Sequence, residues 1–244
     1  MPPPITVTLA KSPAFPLAAG MSDVTDTVAG GQPVLEWREG GVPVSARFDD
    51  PYFSLAGGLA ETGHVFLAGN DLPARLRPGF HVAELGFGTG LNLMALARIA
   101  VVPVRFTSFE GFPMSLEQME QAHAGFPELA DLSAQLRDGW STRQMQVGLI
   151  NARVITGDAR QTLAEWGGQA DAWFLDGFSP AKNPEMWGEA LMAEVAAHTA
   201  PGGSFATYTA AGHVRRALAA AGFAVERRPG FAGKRHMSVG RYEG

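Results

Sequence analysis

The segment Glu84-Leu85-Gly86-Phe87-Gly88-Thr89-Gly90 constrains this chain more than any other stretch of its length. An apolar run beginning at His81 leads into it, and Leu91 to Ile99, with the apolar spacing of an amphipathic helix, follows it. A strand that ends in glycines and hands over to a helix makes a tight turn. The missing Cβ atoms let a ligand approach the backbone where the helix N-terminus offers amide donors. Strand, glycine turn and helix also form the opening unit of a parallel sheet covered by helices, so the same alternation is expected downstream.

The alternation is present. Candidate strands fall at 81–86, 104–109, 152–156, 171–176, 203–208, 223–227 and 236–240. Between them, Leu91 to Ile99, Ser115 to Gln121, Leu129 to Leu136, Pro184 to His198 and Ala211 to Ala221 have helical apolar spacing, the last stopped by Gly222. Only Pro229 to Lys234 separates the final two strands, too little chain for a parallel crossover, so they are expected to form an antiparallel hairpin. The glycine spacing then selects the ligand. A dinucleotide loop reads G-x-G-x-x-G, and here Leu91 stands where the last Gly or Ala belongs, which favours S-adenosylmethionine over a nicotinamide dinucleotide. The expected fold is α/β, a Rossmann-like class I S-adenosylmethionine-dependent methyltransferase, with a mostly parallel seven-stranded sheet ending in an antiparallel hairpin.

Composition limits the alternatives. At 244 residues and 46% hydrophobic content, one core is expected, in a single domain over residues 30–244. Residues 1–29, where Pro and Gly recur without periodicity, read as a flexible tail. An N-terminal lip is expected over about 30–78. An inserted helical segment over about 111–146 is either a cap over the substrate or a helical pair packed on the sheet. The absence of cysteine excludes disulfides, thiol nucleophiles and Cys-ligated metals, and leaves the cytoplasm as the least constrained compartment. The six histidines lack ligand spacing, so no metal is expected. Ala95 to Val104 is too short to span a bilayer and is broken by Arg98 and Pro103, so no membrane association is expected.

The net charge of −5 argues against indiscriminate polyanion binding, but the charge is unevenly distributed. Residues 213–244 carry Arg215, Arg216, Arg227, Arg228, Lys234, Arg235 and Arg241 against Glu226 and Glu243 alone. A basic end on an acidic chain suits one anionic partner, or is a solvated face.

Several carboxylates stand at successive strand ends, where ligands of open α/β sheets bind. Gly86, Gly88, Gly90 and Asn92 belong to the turn and the start of its helix, and Glu84 just before it is placed to hold the ammonium of the cofactor's amino acid end. Glu110 ends the next strand, where a carboxylate can accept both ribose hydroxyls, and Asp158 follows the third, where it can accept from the adenine amine. Asp176 ends the fourth and is the candidate catalytic residue, with Phe178 as a wall for a base or amine. An alkylamine has a pKa of about 10 and arrives protonated, so Asp176 is expected to orient the nitrogen and accept its proton, although an ordinary carboxylate pKa near ~4 makes it a weak base.

The string Phe174-Leu175-Asp176-Gly177-Phe178-Ser179-Pro180-Ala181-Lys182-Asn183-Pro184-Glu185-Met186-Trp187 closely resembles the signature of the tRNA 5-methylaminomethyl-2-thiouridine methyltransferases. The resemblance extends through Phe48 to Ser54, Glu61 to Leu67, Glu84 to Asn92, Ser108 to Glu110 and Gly230 to Met237. It implies methylation of the aminomethyl group on the wobble uridine, in the tRNA anticodon stem-loop. Asp176 would be the catalytic carboxylate, with Phe178, Pro180, Lys182, Lys234 and Arg235 on the substrate side. Many relatives carry a second, flavin-dependent domain that makes the aminomethyl substrate. This chain has no second dinucleotide fingerprint, so no flavin is expected in it, and the flavin-dependent oxidoreductase is a possible partner. A small-molecule amine methyltransferase and a non-catalytic cofactor-binding scaffold are the alternative readings.

Overall fold

The computed structural model describes residues 31–244, and the tail expected over 1–29 lies outside them. Three short strands come first: β1 (Leu35–Arg38), β2 (Val42–Ser45) and β3 (Asp50–Pro51) form a small antiparallel sheet. Helix α1 (Gly58–Thr62) and a π-helical turn (Gly63–Leu67) carry the chain to the main sheet. There β4 (Phe80–Leu85), α2 (Leu91–Ile99) and β5 (Val104–Glu110) form the first unit. A helical pair follows, α3 (Leu116–His123) and α4 (Ala130–Gly139), then β6 (Gln144–Val147) and β7 (Ile150–Thr156). The chain continues through α5 (Ala159–Thr162), β8 (Ala170–Leu175), α6 (Glu189–Ala197), β9 (Thr199–Thr207), α7 (Gly212–Ala220), β10 (Phe223–Arg228) and β11 (Met237–Tyr242).

Among the described residues, eight strands share the main sheet in the order β10-β11-β9-β8-β4-β5-β7-β6. The central five run parallel, and β10, β11 and β6 are antiparallel to their neighbours. Strand order reverses at β4, with β5 on one side and β8 on the other, so a crevice opens beyond the carboxyl ends of these strands. Side-chain alternation divides the core. Val82, Phe106 and Phe174 face the side covered by α2, α3 and α4, while Ala83, Leu85, Trp173 and Leu175 face α6 and α7.

The fold class agrees with the sequence expectation, and three details differ. The sheet has an eighth strand, β6, inside the segment expected to be helical. Gln144 to Val147 alternates exposed and buried residues and turns back through Gly148-Leu149 onto Ile150, the spacing of a two-residue hairpin. Strand β9 starts at Thr199, ahead of the expected 203, because Thr199 pairs with Ala170 before a register shift brings Ser204 opposite Ala172. The helix expected over Pro184 to His198 is interrupted at Gly188, whose extended backbone (φ −71°, ψ 155°) separates a 3-10 turn, Pro184–Trp187, from α6. That break lets buried Trp187 donate its indole N–H to the Phe178 carbonyl at 2.9 Å, tying the signature string to the core.

The helical pair is anchored to the glycine turn. His123 lies buried between the Thr89 carbonyl and the Ser133 hydroxyl, both at 2.7 Å, and Trp140 stacks on Phe87 with ring centroids 5.1 Å apart. Gly90 occupies left-handed backbone (φ 76°), and a Cβ there would stand 2.7 Å from Leu136 Cδ1 and 2.8 Å from the Phe87 ring. Gly90→Ala is therefore expected to destabilise the chain by about 1–3 kcal/mol through strain and overpacking, read as a lower urea midpoint at unchanged slope.

Candidate active site

A cavity of about 540 Å³ opens over the crevice, within the range of cofactor-sized sites. Its floor comes from the carboxyl ends of the parallel strands, the turns that follow them and the start of α2, through Gly86, Gly88, Thr89, Asn92, Glu110 and Asp176. Its outer wall comes from the N-terminal region, through Phe48, Tyr52, Glu61 and Thr62. Gly88 needs its missing side chain: its backbone is left-handed (φ 54°), and a Cβ would come within 3.0 Å of the Tyr52 ring.

Asp176 follows β8 directly, partly exposed at the cavity. Its Oδ1 accepts from the Gly177 amide and its Oδ2 from Asn92 Nδ2, each at 2.9 Å. Burial of the carboxylate raises its pKa to about 7, and these two hydrogen bonds hold it from rising further. An ordinary carboxylate pKa therefore does not apply here, and Asp176 is a much stronger base than its residue type suggests. The other hydrogen of Asn92 Nδ2 goes to Glu84 Oε1 at 2.9 Å, and Ser108 donates to Glu84 Oε2 at 2.7 Å. Glu84 has no exposed surface, and burial pushes it well above the usual carboxylate range.

Glu84 thus lies beneath the cavity rather than lining it, because it is the last but one residue of β4 and both its oxygens are taken by Asn92 of α2 and Ser108 of β5. Asn92 is the group that presents this network to the cavity. Glu110 lines the cavity and accepts from the amides of Gly88 (2.8 Å) and Phe112 (2.6 Å), one on each oxygen, with the Phe87 and Gly111 amides also favouring its charged form. Asp158 lines it too, but caps α5 through the Arg160 amide at 2.9 Å and is clamped by the Arg160 guanidinium, which also reaches Glu185 at 3.1 Å. Gly90 does not line the cavity; its place is the packing of α4 against the turn.

On the substrate side, Phe178 stacks with Phe48 at 4.7 Å and meets Tyr52 edge-on at 5.0 Å. Phe112 packs edge-on against Phe48, and the exposed Arg47 guanidinium lies 4.8 Å from the Phe112 ring centre. Lys182 lines the cavity rim paired with Asp49 and Asp50, and Lys234 lines it paired with Glu61 at 2.7 Å. Pro180 and Arg235 lie off the cavity. Pro180 belongs to the turn in which the Ser179 carbonyl accepts from the Lys182 and Asn183 amides, and Arg235 is exposed on the β10–β11 connection. The sequence assigns no role to Arg160, Arg47, Phe48, Tyr52, Glu61 or Tyr208, all of which line the cavity. Only the N-terminal strings Phe48 to Ser54 and Glu61 to Leu67 signalled any of them.

A mostly parallel sheet whose order reverses beside a glycine turn, with this cavity at its carboxyl edge, defines a class I S-adenosylmethionine-dependent methyltransferase. The comparisons agree. Residues 127–243 match the model of a family described as S-adenosyl-L-methionine-dependent methyltransferase. The tRNA 5-methylaminomethyl-2-thiouridine biosynthesis bifunctional protein MnmC of Caulobacter sp. strain K31 is 47% identical over 221 residues, covering 82% of this chain and 37% of that protein. Its namesake in Chromobacterium violaceum is 45% identical, covering 84% of this chain and 34% of the relative. The chain belongs to the methyltransferase family that these relatives share, and spans little more than a third of their length. The crystal structure of MNMC2 from Aquifex aeolicus superposes with a TM-score of 0.65 at 24% identity, covering 87% of this chain and 71% of that one, a likeness of fold.

Proposed function

We propose that this chain transfers a methyl group from S-adenosylmethionine to the aminomethyl nitrogen of 5-aminomethyl-2-thiouridine at the wobble position of tRNA, giving 5-methylaminomethyl-2-thiouridine. The observation that carries the proposal is Asp176: a carboxylate at the cavity, with a pKa of about 7, beside an aromatic wall. The named product of the 42–47% identical relatives supports the substrate.

When bound, S-adenosylmethionine supplies an electrophilic methyl group on a sulfonium. Gly86 and Gly88 would let the backbone approach it, Glu110, which lines the cavity, would accept from the ribose hydroxyls, and Asp158 would accept from the adenine amine once Arg160 yields. Asn92, held by Glu84 below and Asp176 beside it, fixes the carboxylate that faces the amine. Asp176 accepts the ammonium proton and leaves the nitrogen lone pair free, and Phe178 with Tyr52 and Phe48 holds the base. Much of the acceleration comes from positioning nitrogen against the methyl carbon at about 3–3.5 Å.

RNA reaches the site past Arg47 and the exposed arginines of the C-terminal end; Arg227 and Arg235 have no ion-pair partner among the described residues. Lys182 and Lys234, being paired, contribute less than their position in the sequence suggests. As the resemblance implies, a flavin-dependent oxidoreductase, in the same or another chain, supplies the aminomethyl group, and the reaction belongs in the cytoplasm. Among the described residues, no helix is long and apolar enough to cross a membrane.

Filter binding of unmethylated tRNA tests the substrate. Affinity is expected to fall steeply with salt, and Arg47→Ala to weaken binding with a salt slope smaller by about one. Salt-insensitive turnover of the free nucleoside, as efficient as that of tRNA, would point to a small-molecule amine instead.

A further inference from the structure

The string Glu61-Thr62, singled out by the resemblance, is carried by the last turn of α1 into the cavity wall. Thr62 donates its hydroxyl proton to Asn92 Oδ1 at 2.8 Å, which fixes the amide so that both Nδ2 hydrogens face carboxylates. Glu61, its side chain 13% exposed, accepts from Lys234 Nζ at 2.7 Å. The same ammonium lies 4.9 Å from the centre of the Tyr208 ring. Tyr208 is held beside the Asp176 turn by donating its hydroxyl proton to the Gly177 carbonyl at 2.7 Å. The charges of Glu61 and Lys234 both reach Asp176, in opposite senses. A nearly buried carboxylate and an aromatic face around a primary ammonium are the groups that stabilise any alkylammonium. The substrate proposed above is also a primary alkylammonium at neutral pH.

We propose that Glu61 and the Tyr208 ring form the ammonium subsite for the substrate amine next to Asp176, and that Lys234 fills this subsite until the substrate displaces it. The assignment rests on the amine-methylation reading. Lys234 sits on the connection between β10 and β11 with its side chain 47% exposed, so it can leave by rotation of its own stem. The substrate enters as R–NH₃⁺ with Glu61 as counter-ion, its proton passes to the Asp176 carboxylate, and R–NH₂ with Asp176 carboxylic acid remains. Glu61 is then a binding residue and Asp176 the base.

The test is steady-state methylation of tRNA carrying 5-aminomethyl-2-thiouridine by the wild-type chain, Glu61→Gln, Lys234→Met and the double variant. Calorimetric binding of the free nucleoside 5-aminomethyluridine is measured in parallel. Glu61→Gln is expected to raise KM by about tenfold to a hundredfold, with a smaller change in kcat and unchanged affinity for S-adenosylmethionine. The effect should shrink as pH approaches about 10 and the amine loses its charge. Lys234→Met is expected to lower KM, and to do nothing further in the Glu61→Gln background. An unchanged KM in Glu61→Gln overturns the subsite. So does a KM raised by Lys234→Met together with a reduced salt slope, which makes Lys234 a phosphate contact. If the wild-type chain methylates no tRNA while nucleoside binding still depends on Glu61, the function reading fails and the subsite stands.

Discussion

Asp176→Asn is expected to slow methyl transfer roughly a hundred- to ten-thousandfold while the affinity for S-adenosylmethionine changes only a few-fold. Asparagine keeps the shape of the side chain but only one acceptor oxygen, so it can retain the bond from Gly177 or the bond from Asn92 and not both. It removes the ability to take a proton. The wild-type rate should rise as pH is raised through about 7, because the carboxylate form of Asp176 gains population above its raised pKa. That limb should be absent in the variant. Single-turnover rates with a parallel cofactor-binding titration check this, and an unchanged rate would remove Asp176 from the mechanism.

Asn92→Ala should have the second largest effect, and its signature is a displaced pH dependence. The Asn92 hydrogen bond favours charged Asp176, so removing it raises the Asp176 pKa further above its usual range. Losing a hydrogen bond to a charged group costs about 1.5–3 kcal/mol, which corresponds to about one to two pKa units. Activity at pH 7 should fall about tenfold or more and recover toward wild type near pH 9 to 10. The variant should also lose about 1–3 kcal/mol of stability, because Glu84 and the Thr62 hydroxyl lose a buried partner. A rate lowered equally at every pH would show that Asn92 acts on cofactor or substrate placement and not on the Asp176 proton.

What the sequence revealed is local in origin. The glycine turn, the strand periodicities and the short final connection each depend on neighbouring residues, so their reading carried through to β4, α2 and the β10–β11 hairpin. Strand β6 escaped because four residues with two glutamines carry little apolar signal, although their alternation and Gly148 were present. Gly188 escaped because a single glycine within helical spacing does not show that Trp187 must turn inward.

The site was only half legible. Strand-end carboxylates announce themselves by position, but burial does not: Glu84 lies within β4, level with Phe174, while Asp176 stands two residues further along, past the end of β8, and that offset buries the first while leaving the second partly exposed. Ion pairing was equally invisible. Lys182 meets Asp49 and Asp50, and Lys234 meets Glu61, across more than a hundred residues of chain. Those partners turn apparent phosphate contacts into parts of the cavity wall. Tyr208 and Phe48 likewise reach the Gly177 carbonyl and the Phe178 ring from β9's end and the β2–β3 connection, separations that no local pattern encodes.

The central claim is that the methyl group goes to one nitrogen of one nucleoside, and mass spectrometry of nucleosides tests it most directly. Unmethylated tRNA carrying 5-aminomethyl-2-thiouridine is incubated with the chain and methyl-labelled S-adenosylmethionine, then digested. A single labelled methyl on the wobble nucleoside, on the aminomethyl nitrogen and lost in Asp176→Asn, is the predicted result. Label on a different nucleoside, on the base ring or ribose, or on no nucleoside at all would contradict it.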